Sequence, residues 1–544
     1  MDLSPSKNAI FPGLTYQHVA SYSFNGEKNF GQAGPMIDYT LDTNGLRIRS
    51  WQAMLESDKA QIGIGRLLKW VIGTGLKPQC EPSVSVLEQY GIKLDKKKYA
   101  KQVEELWNLW RRSKSCDYSG MKNMNQIDLE SEKNSMVGGD VLIIIRYIKG
   151  QQKIQLIDGA HVQSPYYGSE FFPKALANGN TIIDGVEINS RREHIAYYVR
   201  TYALNADISN IFEYKFERIE ARGKDGLLRA WFHYGNEFRI NNVRGMSIYA
   251  ACLEKLKQME EYSGATLSQA KEAAKVSYQV EHELNASGKA PFATAAVEGF
   301  SSGIGMNGNN RLPITDDGIT MGKVMQITNI GTAYNNNPGS KISMLKNENP
   351  LYFKEFMETH TNEFCAVIDI PPNVFWGLYT NSFSASRASI VDLIHTLANK
   401  REHHYVGHKK PIFDFWLHTE ILKGNIQAPG YIMAFNDGNE MVLEAYRSVR
   451  FVGKNPGHID PEKEANAVRV MLGPAMANMP LIDGENAAEV LGTGDITEII
   501  EQSAIERDMT EKLGLKPAPI EQKVVNDSTI TKKGGKKKPK PPVK

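Results

Sequence analysis

Residues 372–422 read PNVFWGLYTNSFSASRASIVDLIHTLANKREHHYVGHKKPIFDFWLHTEIL, and two kinds of sequence meet inside them. Gly377–Ser386 has no core-forming pattern: its aromatics, Tyr379 and Phe383, stand among Asn381, Ser382, Ser384 and Ser386. A stretch of this kind is expected to project and move. Beyond it, Ile390, Leu393, Ile394, Leu397, Tyr405 and Ile412 recur at helical spacing. Ser384 or Ser386 is placed to cap that helix, with Arg387 in its first turn. Lys400, Arg401, His403, His404, His408, Lys409 and Lys410 concentrate positive and titratable charge on it, and Pro411 is expected to bend it. A polar loop carried on a basic helix invites a polyanion.

Upstream, residues 1–50 are turn-rich, an arm that orders only against neighbours. A helix is predicted from about Leu46 to Ile72, stopped by Gly73-Thr74-Gly75. A second, Lys97–Arg111, places Val103, Leu106, Trp107 and Trp110 on one face, where bulky aromatics are core-forming. From Asp140 the period changes to that of strands: VLIIIRYI, KIQLID, TIIDGVEI, HIAYYVRTYAL, IFEYKFERIEA and AWFHYG, separated by Gly, Asn and Asp turns. Short strands in series after helices predict a mixed α+β domain with a mostly antiparallel sheet. Two long helices, 247–280 and 349–370, then flank a Gly/Asn/Pro-rich segment, 281–346, too long for an ordinary loop. Past the quoted stretch, Ala434–Phe451 reads as extended and is followed by two helices with start signals at Asp460-Pro461 and Asp495. The chain ends in a Pro/Lys-rich, disordered-type tail.

At 544 residues, with 41% apolar and 23% charged, the chain suits a large soluble core of more than one unit. Neither a targeting leader nor a bilayer-spanning apolar run is found, so no membrane partner is expected. Four cysteines, Cys80, Cys116, Cys252 and Cys365, show no pairing or CxxC spacing and read as buried thiols. The formal charge is +2, but the last thirteen residues hold seven lysines and no acid, leaving residues 1–531 with 57 bases against 62 acids, net −5. A surface built to grip DNA shows a basic excess. This body, if it meets DNA, holds it loosely.

No phosphate-loop motif is present, which argues against an ATP motor. His404 and His408 stand at a metal-capable i,i+4 spacing, yet no HExxH pattern accompanies them, and a solvated or subunit-facing basic patch is the commoner fate. No cofactor or metal is expected, and no Ser or Cys is paired with a base. The basic tail serves either solubility or contact with nucleic acid or an acidic partner.

The order of features resembles the portal proteins of tailed bacteriophages, of the lambda type. The resemblance rests on Trp70 before Gly73-Thr74-Gly75-Leu76, on Gln155-Leu156-Ile157-Asp158 and on Arg244-Gly245 opening a helix. It rests further on Asn381-Ser382-Phe383-Ser384-Ala385-Ser386-Arg387-Ala388 and on Ile459-Asp460-Pro461 with Lys463-Glu464-Ala465, over roughly residues 45–515. His458 departs from the aromatic that relatives tend to carry. The resemblance implies a ring, usually of twelve subunits, at one capsid vertex. Double-stranded DNA would pass through its channel, and the large terminase, the major capsid or scaffold protein and the head-tail connector would be partners. The fold implied is portal-like: a wing over 1–245 with an arm over 1–45, stem helices over 246–280 and 349–371, and a clip over 281–348. A tunnel loop with its supporting helix follows over 372–422, then a crown over 423–515 and a basic tail over 516–544. Tyr379, Asn381, Ser382, Phe383, Ser384, Ser386 and Arg387 would line the channel, while Lys400, Arg401, Lys409 and Lys410 would face the channel or a neighbouring subunit. The implied protein is not an enzyme and resides in the virion after assembly in the bacterial host cytoplasm. Two other classes stand beside it: a metal-dependent DNA-processing enzyme using the histidines, and a capsid or connector protein without DNA contact.

Overall fold

The computed structural model describes residues 23–24, 27–28, 43–165, 174–205, 215–237, 239–240, 242–275, 279–280, 325–328, 331–335, 353–379, 383–453, 466, 468, 471, 487 and 496–512. The arm 1–42, most of the clip, Asn381, Ser382, His458 to Ala465 and the basic tail lie outside them. The chain divides into two units, Met1–Pro456 and Gly457–Lys544. In the second, Ile496–Lys512 is a helix, as its Asp495 start signal predicts.

The first unit is built around the strand Asp140–Ile148, which pairs antiparallel with both Gln151–Asp158 and Ala230–Tyr234. Lys149 and Gly150 make the tight turn between the first two strands, both with positive φ. Val141 to Ile145 are all buried, an unbroken apolar run rather than an alternating one. The reason is that both faces of the sheet are covered. Leu142 and Ile144 pack with Val186, Tyr197 and Val199 of a second, five-stranded sheet. Ile143 and Ile145 face the helical side, with Trp107, Trp231, Phe413 and Trp416.

On that side the helix Lys96–Arg112 follows its predicted span, and Trp107 is enclosed by Trp110, Phe413, Trp416 and Phe451. The helices Thr43–Glu56 and Asp58–Val71 replace the single predicted helix. The break falls at Ser57, whose backbone is extended and whose hydroxyl donates to Glu260. Gly73 and Gly75, both with positive φ, end the second helix as read from the sequence. Its apolar stripe, Ala60, Ile64, Leu67 and Val71, packs with Tyr249, Leu256, Phe364, Cys365, Leu393 and Leu397. These residues join the helix to Leu253–Lys275, Phe353–Val367 and Phe383–His404. All four cysteines are buried. Burial pushes the Cys116, Cys252 and Cys365 thiols up to about 12, so they remain protonated at neutral pH.

Two expectations are corrected, and one segment the sequence reading left open is assigned. TIIDGVEI is not one strand but the hairpin Thr181–Ile183 and Val186–Ile188, because Asp184-Gly185 takes the positive-φ pair of a tight turn. Residues 434–451 are mostly helical: Tyr431–Asn436 and Glu440–Arg447 precede a short strand, Val449–Val452, paired with Lys77–Cys80. Asn439 caps the second of these helices, which buries Val442, Leu443, Ala445 and Tyr446. Finally, residues 124–138, unread in the sequence, form a helix opened by a capping box between Asn123 and Gln126. Its buried face is polar, with Asp128, Ser131, Glu132 and Ser135, so it shows no apolar stripe. Among the described residues, no helix is long and apolar enough to cross a membrane.

Candidate functional site

The preceding helix ends at Val367, just before Asp369 in the left-handed region, and Pro371-Pro372 opens the turn Pro372–Trp376, closed by Gly377 in the left-handed region. The chain leaves this turn with Trp376, Leu378 and Tyr379 in solvent, at 43%, 62% and 53% exposure. Three adjacent exposed apolar side chains are unusual unless a partner covers them. Asn381 and Ser382 fall outside the described residues; Phe383 and Ser384 already belong to the helix Phe383–His404. The helix therefore starts four residues before Arg387, and neither Ser384 nor Ser386 is its cap. Ser386 is buried, which removes it from any surface lining, whereas Arg387 is exposed.

The far end of this helix is anchored in the protein. Arg401 donates to the carbonyls of Trp70 (2.8 Å) and Val71 (3.3 Å). It thus supplies donors and positive charge where the helix Asp58–Val71 ends. Next comes a π-helical turn, Tyr405–Lys409. The wider turn brings His404, His408 and Lys409 to one side, and all three are buried. Pro411 lacks an N–H, so the Gly407 carbonyl four residues earlier loses a helical donor. Trp231 Nε1 donates to it instead, at 2.8 Å. Gly407 also cannot carry a side chain, since a Cβ there would meet His233 Nδ1 at 2.5 Å.

The buried helix Met124–Gly138 receives this charge. Lys409 Nζ lies 2.5 Å from Asp128 Oδ2, and His408 bonds Asp128 Oδ1 (3.0 Å) and Ser131 Oγ (3.0 Å). Glu132 Oε2 accepts from both His404 Nδ1 (2.7 Å) and His233 Nε2 (2.9 Å). Burial works against the Asp128 carboxylate, but Lys409 and His408 outweigh it and hold it well below the ordinary range. Burial likewise opposes Glu132, and its two imidazole donors overcome it. His408 is driven down to about 3 by burial, so it is neutral. The expectation of a solvated basic patch is thus corrected for His404, His408 and Lys409: each is used up inside its own chain.

Lys410 is paired within the chain as well, with Asp414 (2.8 Å) and Glu444 (3.0 Å). Of the four basic candidates, Arg401 is held by backbone carbonyls, Lys409 and Lys410 by carboxylates, and Lys400 is half-buried. Burial pushes the Asp414 carboxyl up to about 6 despite Lys410. The folded state therefore holds a proton that the unfolded chain, near the ordinary value of 3.8, has released. The associated stability is present below pH 3.8 and is lost as pH rises through 6, a swing of roughly 1–3 kcal/mol. The melting-temperature difference between Asp414→Asn and wild type should accordingly grow more favourable to the variant from pH 4.5 to 7.5. A difference that is flat, or that moves the other way, contradicts the burial argument.

A second buried charge cluster gives physical meaning to the short motifs. Arg244 grips Asp140 with two bonds, Nε to Oδ2 (2.8 Å) and Nη2 to Oδ1 (2.9 Å). It also donates to the carbonyls of Gly159, Val162 and Asp184. Arg47 Nη2 adds a bond to Asp140 Oδ1 at 2.6 Å, and Gly245 N–H one to Oδ2 at 3.0 Å. Burial opposes the Asp140 carboxylate, but the two guanidiniums hold it below its usual range. Asp158, at the end of the QLID motif, caps Ala160 N–H and lies 3.6 Å from Arg47. The motifs that carry the resemblance include Arg244-Gly245 and Asp158 but not their partners, Arg47 and Asp140. This cluster joins the first helix, both sheets and the entry to the helix Leu253–Lys275; it is structural.

No curated protein matches the sequence. Among solved structures, the fold is similar to a chain in the neck of an empty gene transfer agent (GTA) particle computed with C6 symmetry. Identity there is 10% and the TM-score 0.39, over 89% of this chain and 100% of that one. It is also similar to one in the virion of a native gene transfer agent particle (11%, TM-score 0.36, 88% and 99%). A third is in the neck of a native GTA particle computed with C12 symmetry (10%, TM-score 0.31, 77% and 96%). At these scores the family rests on the sequence match alone. The family model described as "Phage portal protein, lambda family" matches residues 29–399, more than two-thirds of the chain. The chain belongs to the lambda family of phage portal proteins.

Proposed function

We propose that this chain is the subunit of a closed ring, of twelve copies, set at one vertex of a phage capsid, with double-stranded DNA passing along its axis during packaging and ejection. The observation that carries this reading is the family match over residues 29–399, which spans the three-stranded and five-stranded sheets and the turn Pro372–Trp376. The exposed Trp376, Leu378 and Tyr379 support it, since a neighbouring subunit would cover an apolar patch that a monomer leaves in water. In this reading residues 1–245 are the wing, 246–280 and 349–371 the stem, 281–348 the clip and 423–515 the crown. The clip docks the large terminase during packaging and the head-tail connector later, while the outer body meets the capsid or scaffold protein. Packaging energy comes from the separate motor, and this chain acts as a conduit. It assembles in the bacterial cytoplasm and remains in the virion.

The turn and loop at 377–386 would be the part that meets DNA, carried on a helix whose far end is fixed by Arg401 and Lys409. Polar side chains there would bond phosphate oxygens transiently, without reading bases. An acidic body, net −5 over residues 1–531, suits a channel that must let its cargo slide. Deleting Asn381–Ala385 stops short of the buried Ser386, so rings should still form while DNA packaging or retention falls. If the deletion abolishes assembly and leaves DNA handling normal in any rings that remain, the loop is structural and the tunnel assignment is wrong.

A further inference from the structure

Five buried side chains converge at the end of the long helix: Asp128 and Glu132 of Met124–Gly138, His233 of Ala230–Tyr234, His404 of Phe383–His404 and His408 of the π-helical turn. Their donor atoms form two triads sharing His404, and within each triad the ligand atoms lie within 4.8 Å of one another. We propose that Glu132, His233 and His404 form a structural site for a divalent transition metal, zinc by its donor set, tying the helix Met124–Gly138, the strand Ala230–Tyr234 and the helix Phe383–His404 together. The inference rests on these residues and is independent of the portal reading.

Two imidazoles and one carboxylate are a donor set that zinc favours, and all three point at one place: both ring nitrogens approach the same oxygen, Glu132 Oε2. A second observation concerns the opposite nitrogens. Among the described residues, neither His404 Nε2 nor His233 Nδ1 has a hydrogen-bond partner, although both rings are fully buried. These opposite nitrogens are therefore open to take up the N–H when the nitrogens facing Glu132 turn to a metal. Charge points the same way. Asp128 and Lys409 cancel, which leaves Glu132 as one buried negative charge beside imidazoles. A cation resolves that imbalance.

The choice between the triads follows from Lys409. Its ammonium already sits on Asp128, so a second cation at Asp128, His404 and His408 would be repelled. Among the described residues, no lysine or arginine pairs with Glu132. Binding requires no net proton release from the rings. Each histidine moves its N–H from the nitrogen facing Glu132 to the opposite one, and the freed lone pair binds the metal. Bonds of about 2.0–2.1 Å in a tetrahedron set ligand atoms roughly 3.3 Å apart, so the present 2.7 and 2.9 Å contacts open by roughly half an ångström. His403, exposed, with its ring 5.4 Å from that of His233, marks the side from which the metal enters. Full burial of the three ligands leaves no room for a substrate, hence a structural role.

Untagged full-length protein grown with added Zn²⁺ should carry about one zinc per chain by elemental analysis, and Glu132→Gln and His404→Ala should lose it. Because either substitution can disturb folding, the wild type supplies an independent reading. Chelation should lower its melting temperature by about 3 °C or more, and Zn²⁺ alone should restore it. The proposal is overturned if wild type carries no zinc and neither chelation nor Zn²⁺ moves the melting temperature; the cluster is then a closed hydrogen-bonded set. It is equally overturned if folded Glu132→Gln and His404→Ala retain the zinc, which would place it on other histidines.

Discussion

Arg244→Ala is expected to cost about 3–5 kcal/mol and to leave little soluble protein, because it strands the Asp140 carboxylate in the interior. Asp140 keeps only Arg47 and the Gly245 N–H, and the carbonyls of Gly159, Val162 and Asp184 lose their donor. Lysine should not rescue the site. Its ammonium is a single point charge and cannot bridge both carboxylate oxygens while reaching three carbonyls in the plane of a guanidinium fork. Asp140→Asn should be of similar severity, since two buried guanidiniums then face each other without a full counter-charge. Denaturant unfolding of whatever soluble variant is recovered measures the loss. A cost under about 1 kcal/mol for Arg244→Ala would show that the cluster is not what holds the sheets to the first helix.

Gly245→Ala should be comparably damaging for a steric reason. A Cβ at Gly245 would lie 2.0 Å from the Gly139 carbonyl oxygen, and one at Gly139 would lie 2.7 Å from the Gly245 oxygen. These are backbone atoms, and neither strand of chain can retreat. Gly139 has φ of +98°, and its carbonyl accepts the Gly235 N–H, while the Gly245 N–H is bound to Asp140. We expect a loss of at least about 3 kcal/mol, or failure to fold, for either alanine. Gly65→Ala and Gly264→Ala are the controls: both glycines lie in helices and a Cβ there meets nothing within 4 Å. Those changes should be neutral or stabilising by up to about 1 kcal/mol. If all four variants melt alike, the close crossing at Gly139 and Gly245 is not a constraint on the fold.

What the sequence made legible follows from where each element finds its partners. The helix Lys96–Arg112 and the strand Asp140–Ile148 bury apolar faces, and periodicity or an apolar run reveals them. The helix Met124–Gly138 buries Asp128 and Glu132 instead, so hydropathy reads it as surface; the Asn123/Gln126 capping box was its visible mark. His404, His408 and Lys409 were misjudged for the complementary reason. Lysine and histidine read as solvated until their acids are found, and Glu132 and Asp128 lie 272 and 280 residues from His404 and His408. Segment 434–447 was missed because its helices are short and separated by Gly438 in the left-handed region, a pattern that resembles strands and turns. Of the stretch 377–386, Leu378 and Tyr379 are exposed, but Phe383–Ser386 are already helical, the helix begins earlier than serine capping suggested, and Ser386 is inside the protein.

All of these contacts lie within one chain, whereas the proposed role belongs to a ring. Mass photometry of purified full-length protein, with negative-stain images viewed down the axis, tests that role most directly. Closed rings near twelve times the 60.8 kDa chain mass, with a central opening, are the expected result. A single 60.8 kDa species at high protein concentration, without rings in the images, would contradict it.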